Sequence, residues 1–258
     1  MALAFDAAVD GSIVIPGTSL TWAHTCTGSD RILLVAAFDD SGGASLITGV
    51  TYNSVALTKI AEVQVLDNRW VTLWYLVAPA TGSNNVVITA SASTVIAGIS
   101  GSYTGAAQTG QPDSFATNTS TASTSLTTTT TVVASDCWLV MGIKSLGVNS
   151  YSYSPTGSER ISNSQMHFWD SNATIGTGSQ AVVATASPDN HGAVLVSIAP
   201  VGGGAAGHPT MRRWGGTPAV GGQGVNDAGT GGGKMWGRSR SGRIVIPRWL
   251  QDQERQAA

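Results

Sequence analysis

Four histidines and a scatter of acids are the residues of this sequence best suited to chemistry, and their spacing decides whether they can perform it. His24 stands two residues before Cys26. A His-x-Cys pair can supply two metal ligands, but zinc needs three or four that converge, and no second cluster has the spacing. His167 lies in the aromatic run Met166–Trp169, His191 in the turn-like stretch Pro188–Gly192, and His208 among glycines. Each reads as a polar residue satisfied in place. A Ser–His–Asp triad is recognised by geometry and not by order. The sequence has no G-x-S-x-G elbow, and serine is too abundant for its nearness to a histidine to mean much. Glycoside hydrolysis would need two acids across a cleft, yet Asp39, Asp40, Asp67, Asp113 and Asp189 fall in turn-like segments, where such side chains usually bond their own backbone. Asp39 and Asp40 lack the dense oxygen pattern of a dedicated calcium loop. Gly229–Lys234 has neither the spacing of a phosphate loop nor a Ser or Thr after the lysine, where Met235 stands. The expectation is a non-enzymatic chain with no catalytic residue, metal or cofactor.

The elements around these residues read as short strands. Arg31–Phe38 is a continuous apolar run, as in a strand covered on both faces. Arg69–Val77 is apolar on both alternating faces and predicts a central strand. Val50–Tyr52 and Val55–Ile60 flank Asn53–Ser54, a tight hairpin turn. Ser12–Ile15, Ser19–His24, Asn85–Ala92, Val95–Tyr103, Leu126–Val133, Cys137–Lys144, the Tyr/Ser/Gly segment Tyr151–Gly157, Gln165–Trp169, Gln180–Ala186 and Gly192–Val201 follow. The threonines at 127–131 fit an exposed strand, since threonine is stiff at χ1 and favours the pleat; the alternative is a linker. Gly105–Ser125 reads as a long surface loop. No helical periodicity runs through the first 201 residues, and no clean internal repeat stands out. The fold class expected is all-β: an antiparallel, jelly-roll-like β-sandwich over 1–201.

Composition agrees. The 258 residues are 42% hydrophobic, enough for a real core, but only 11% charged, so Ser, Thr, Asn and Gly must cover the surface. Cys26 and Cys137 read as buried free thiols, with a bridge across the sandwich as the alternative. No stretch approaches the length of a membrane span, and Met1–Asp6 lacks the pattern of a signal peptide, so the expected site of synthesis is the cytoplasm, with no cleaved leader.

Charge is partitioned. Up to Gly207 five Lys and Arg face twelve Asp and Glu, a net −7; from His208 onward eight face three, a net +5. Residues 202–258 read as a glycine-rich, largely irregular basic arm with a short terminal helix over 248–256. Arginine and tryptophan are typical interface anchors, so Arg212, Arg213, Trp214, Trp236, Arg238, Arg240, Arg243, Arg248 and Trp249 are the expected partner-docking residues. Arg243–Pro247 could add to a neighbour as an edge strand. Folding back onto the chain's own sandwich is the alternative. Protein ranks ahead of nucleic acid as the arm's partner, an acidic surface being its complement.

Thr18–Val35, Val50–Thr58 and Leu73–Gly82 resemble β-sandwich modules of tailed-bacteriophage virion proteins, also found in some bacterial surface proteins. The resemblance covers roughly residues 5–200 and leaves out the arm. It implies a virion structural protein that decorates or stabilises the capsid, contacts the major capsid protein or other virion subunits, and forms a homo-oligomer, a trimer by analogy. The alternative is a glycan- or receptor-binding module of a tail fibre or surface protein, with Tyr151, Tyr153 and Trp169 as candidate stacking rings unless they pack in the core.

Overall fold

The computed structural model describes residues 2–202 except 67, 149 and 164. They fall within one unit, Met1–Pro209. Thirteen strands form among the described residues: β1 (Ala4–Cys26), β2 (Ile32–Asp40), β3 (Ile47–Tyr52), β4 (Val55–Ala56), β5 (Thr58–Val65), β6 (Arg69–Val77), β7 (Gly82–Thr104), β8 (Ser114–Val132), β9 (Trp138–Ser145), β10 (Ser152–Ser154), β11 (Ser158–Asn163), β12 (Met166–Asp170) and β13 (Gly178–Ile198). The fold is all-β and antiparallel, in a sandwich of two sheets.

One sheet has the order β4-β3-β7-β2-β6-β5, with β1 along β7; the other has β10-β13-β9-β12-β11, with β8 along β13. Apart from β4, which has no counterpart in the second sheet, these are one topology drawn twice. Each half begins with a long strand (β1, β8) that pairs with the long strand closing it (β7, β13). Even the irregularities match. β5 slips register between Lys59 and Ala61 against Trp74 and Leu73, and β11 slips between Glu159 and Ile161 against Trp169 and Phe168.

The duplication is written in the residues too, which corrects the reading of no repeat. Thr81–Ser91 and Thr177–Ser187 are identical at eight of eleven positions. Ser19–Thr21, Ser29–Asp30 and Leu33 recur as Ser125–Thr127, Ser135–Asp136 and Leu139. The recurrences mark backbone demands: Asp30 and Asp136 both take positive φ (51° and 59°), as do Gly82 and Gly178 (85° and 98°). The repeat hides from a search at fixed period because its early block recurs after 106 residues and its late block after 96.

Strand alternation sorts the apolar residues into three cores. Leu33, Val35, Ala37 and Trp74 join Leu20, Trp22, Val86 and Ile88 inside the first half. Leu139, Met141, Ile143 and Trp169 join Leu126, Val182 and Leu195 inside the second. The opposite faces of the same strands meet between the halves: Ile32, Leu34, Ala36, Phe38, Val71, Leu73, Ile99 and Tyr103 against Trp138, Val140, Phe168, Val194, Val196 and Ile198. β2 and β9 are therefore buried on both faces, which is why they read as unbroken apolar runs.

The middle layer has the character of a twofold interface, in which i meets j and j meets i. β5 touches β8, and its counterpart β11 touches β1. Ala36 and Gly142 hold equivalent places, and they face each other: a Cβ on Gly142 would lie 3.0 Å from the Ala36 methyl.

Three expectations are corrected. Gly105–Ser125 is not one long loop, because β8 begins at Ser114; an edge strand with one solvent face can be built of Ser and Thr without an apolar period. Pro16–Gly17 and Pro188–Gly192 do not end strands, since β1 and β13 pass through them with shifts of register. β11 was unforeseen, its Ser, Glu, Arg and Asn giving no apolar alternation. The threonine tract is a strand, with Thr128 and Thr130 turned inward and Thr127, Thr129 and Thr131 outward. Asn53 and Ser54 both take positive φ, as the predicted tight hairpin requires.

Candidate functional site

The described histidines are His24, His167 and His191, and each has both ring nitrogens engaged inside the fold. His24 is carried on β1 against β7. Its Nδ1 meets Ser100 Oγ at 2.9 Å and its Nε2 meets Ser102 Oγ at 3.0 Å. Trp22 Nε1 donates to Ser100 Oγ at 2.9 Å, and Ser102 Oγ donates to Asp6 Oδ2 at 2.7 Å. Ser, His and Asp are thus gathered, but in the wrong order for a triad. The carboxylate holds a serine and not the imidazole, and His24, Ser100 and Ser102 are all buried.

Burial pulls the His24 imidazole down to about 4, against the opposing pull of Asp6. Burial raises the Asp6 carboxyl, but bonds from Thr27 and Ser102 outweigh it and leave the group below its ordinary range. The folded chain therefore keeps His24 neutral where the unfolded chain takes up a proton. Stability from this site is complete above pH 6.5 and is lost as pH falls from 6.5 towards 4, by about 1.4 kcal/mol per unit. Urea melts at pH 7 and pH 4.5 are expected to differ by about 2–3 kcal/mol more in the parent than in His24→Asn; equal pH dependence in the two would contradict the assignment.

The second half holds a larger polar group. His191 Nε2 donates to the Ser123 carbonyl at 2.8 Å, so its Nδ1 accepts from Tyr151 Oη at 2.6 Å. His167 Nε2 meets the Val148 carbonyl at 3.1 Å and its Nδ1 meets Glu159 Oε1 at 2.9 Å, which Tyr153 Oη also reaches at 2.7 Å. Burial raises the phenols of Tyr151 and Tyr153. Tyr153 stacks on Trp169 at 5.3 Å, and Trp169 is wholly buried. Of the three candidate sugar-stacking rings, Tyr151 and Trp169 thus belong to the interior, and Tyr153 is half-buried against them.

Asp39 is buried and is held by Ser41 and by Ser45 Oγ at 2.6 Å. Cys26 and Cys137 are free and buried in separate cores; burial pushes the Cys137 thiol up to about 11, away from thiolate chemistry. Among the described residues, no three His, Cys, Asp or Glu side chains gather as metal ligands would. No helix among them is long and apolar enough to cross a membrane.

One cleft was not foreseen. About 320 Å³ in volume, it opens where β1 meets the second half, and Asp10, Ser12, Ile13, Lys144, Asn163, Gln165 and Met166 line it. Asn163 Nδ2 donates to Asp10 Oδ2 at 3.0 Å, and Lys144 Nζ donates to Gln165 Oε1 at 3.0 Å. Asp40 Oδ1 lies 3.8 Å from Lys144 Nζ and 3.6 Å from Arg69 Nε. Burial lowers the Lys144 ammonium, which Asp40 partly restores. Such a lining can hydrogen-bond a polar ligand or a peptide backbone. The signal in the sequence was Lys144 itself, a lysine closing the apolar run of β9.

Arg212, Arg213, Trp214, Trp236, Arg238, Arg240, Arg243, Arg248 and Trp249, with the terminal helix, the fold-back alternative, His208 and Asp67, lie outside the described residues.

No protein-family model matches the chain, and no curated protein matches it. Among solved structures it is similar to the ANX2 ectodomain from Arabidopsis thaliana, over 72% of this chain and 82% of that one, at 10% identity and a TM-score of 0.24. A likeness at that level carries no argument.

Proposed function

We propose that this chain is a non-enzymatic virion structural protein of a tailed bacteriophage, which decorates or stabilises the capsid. Its β-sandwich is displayed, and its basic arm docks onto the major capsid protein or other virion subunits. The observation that carries the reading of an inert, displayed body is the engagement of both ring nitrogens of every described histidine within the fold. These three imidazoles are bonded between segments of the fold, which supports a structural role for them. The phage context rests on the resemblance of Thr18–Val35, Val50–Thr58 and Leu73–Gly82, and docking rests on a +5 arm joined to a −7 body. A trimer remains the oligomer proposed by analogy.

A chain cut after Gly202 is expected to fold and to lose its place in particles. A cut chain that still joins them would overturn the anchoring role.

The second reading is a glycan-binding module. Two of its candidate rings, Tyr151 and Trp169, are interior, and what supports it is a polar cleft at the hairpin tip lined by Asn53, Ser54, Ser83, Asn84 and Asn85.

A further inference from the structure

Among the described residues β1 pairs with β7 alone, so there it is an edge strand along its length. An edge presents unpaired N–H and C=O groups, and proteins usually blunt it with charge. Here the middle of β1 does the opposite. Ile13 is 49% exposed and Ile15 is 69% exposed, while Val14 between them packs towards the first core. Shifts of register between Asp10 and Ile13 and between Val14 and Gly17 confine the exposed ridge to about three residues.

The same residues occur once more in the chain. Gly11–Pro16 reads Gly-Ser-Ile-Val-Ile-Pro, and Gly242–Pro247 reads Gly-Arg-Ile-Val-Ile-Pro. The second copy falls in the arm and is as long as the ridge on β1. It is flanked by Arg243 and Arg248, and the cleft beside Ile13 carries Asp10 on a body of net −7.

We propose that Arg243–Arg248 of a second copy docks on the β1 edge at Ser12–Pro16, adding a short strand whose Ile244 and Ile246 cover Ile13 and Ile15. Identical short apolar segments pair well because equal side chains interdigitate, and strand addition to an open edge supplies main-chain hydrogen bonds. The arginines give the register a charge complement at Asp10. This inference rests on the docking role of the arm and names one of its partners as the chain itself.

The test is sedimentation velocity of the full chain over a concentration series. The parent is expected to associate with concentration. Ile15→Asp and Ile246→Asp are each expected to weaken association by about ten-fold or more, while Val55→Asp, at an exposed position on β4, leaves it unchanged. Ile15→Asp mixed with Ile246→Lys is expected to associate better than Ile15→Asp alone, because the new charges would meet. A parent that stays monomeric throughout, as it would if the segment docked on its own body, overturns the proposal. So does association that both Asp variants leave intact. Association abolished by cutting after Gly202 but untouched by Ile246→Asp would overturn this pairing and leave the docking arm standing.

Discussion

Arg160→Met is expected to lower the stability of the chain by about 3–5 kcal/mol in denaturant unfolding, among the largest effects of any single side chain here. Asp170 is wholly buried on β12. Its carboxylate accepts from Arg160 Nε at 2.8 Å, from Arg160 Nη2 at 3.0 Å and from Tyr103 Oη at 3.0 Å. Tyr103 belongs to the first half and Arg160 to the second, and the guanidinium lies 3.8 Å from the Phe5 ring of β1. The fork therefore ties the halves together at one end of the middle layer. Burial, with the nearby carboxylate, holds the Tyr103 phenol well above its usual range, so it stays a donor. Methionine keeps much of the volume over Phe5 but leaves Asp170 with Tyr103 as its donor. Removing the charge as well, in Arg160→Met with Asp170→Leu, is expected to recover more than half of the loss, because an apolar pair carries no desolvation cost. A loss under about 1 kcal/mol in the single variant would mean that the fork behaves as a surface pair.

Gly101→Val is expected to cost about 3 kcal/mol by overpacking at the centre of the same layer. A Cβ at Gly101 would stand 2.4 Å from Phe168 Cε1, and Phe168 is fully buried with no room to swing away. The two sheets approach closely because small residues stand at the contact, Gly101 opposite the large Phe168 ring and Gly142 opposite Ala36. Phe168→Ala in the Gly101→Val background should be less damaging than Phe168→Ala alone, since the new methyls fill part of the space. Strict additivity in that cycle would mean that the two residues do not share the contact.

Much of this fold could be read from the residues, and the limits of that reading are physical. Strands buried on both faces announce themselves by long apolar runs, as β2 did along most of its length and β6 did around its buried centre, Val71–Trp74. Asn53–Ser54 announced its hairpin because few residues accept positive φ in succession. β8 could not be seen before Leu126, because an edge strand with one wet face needs no apolar period. The split of β1 and β13 into shorter pieces came from treating proline, glycine and asparagine as stops, and that of β7 from the polar Ser93–Thr94; all three lie near shifts of register inside continuing strands. The duplication escaped because the segment between its matching blocks is ten residues shorter in the second half. For the candidate site, His24, His167 and His191 are satisfied in place as read, and the partners Ser100 and Ser102 of His24 and Tyr151 of His191 come from far along the chain. The cleft around Lys144 needs both halves assembled, so no local pattern could have placed Asp10 beside Asn163.

The most direct measurement is quantitative mass spectrometry of purified phage particles from the source, in which the full chain and a chain cut after Gly202 are produced together and counted against the major capsid protein. The account predicts many copies of the full chain per particle and almost none of the cut one. Equal incorporation of both, or absence of both from particles, would contradict it.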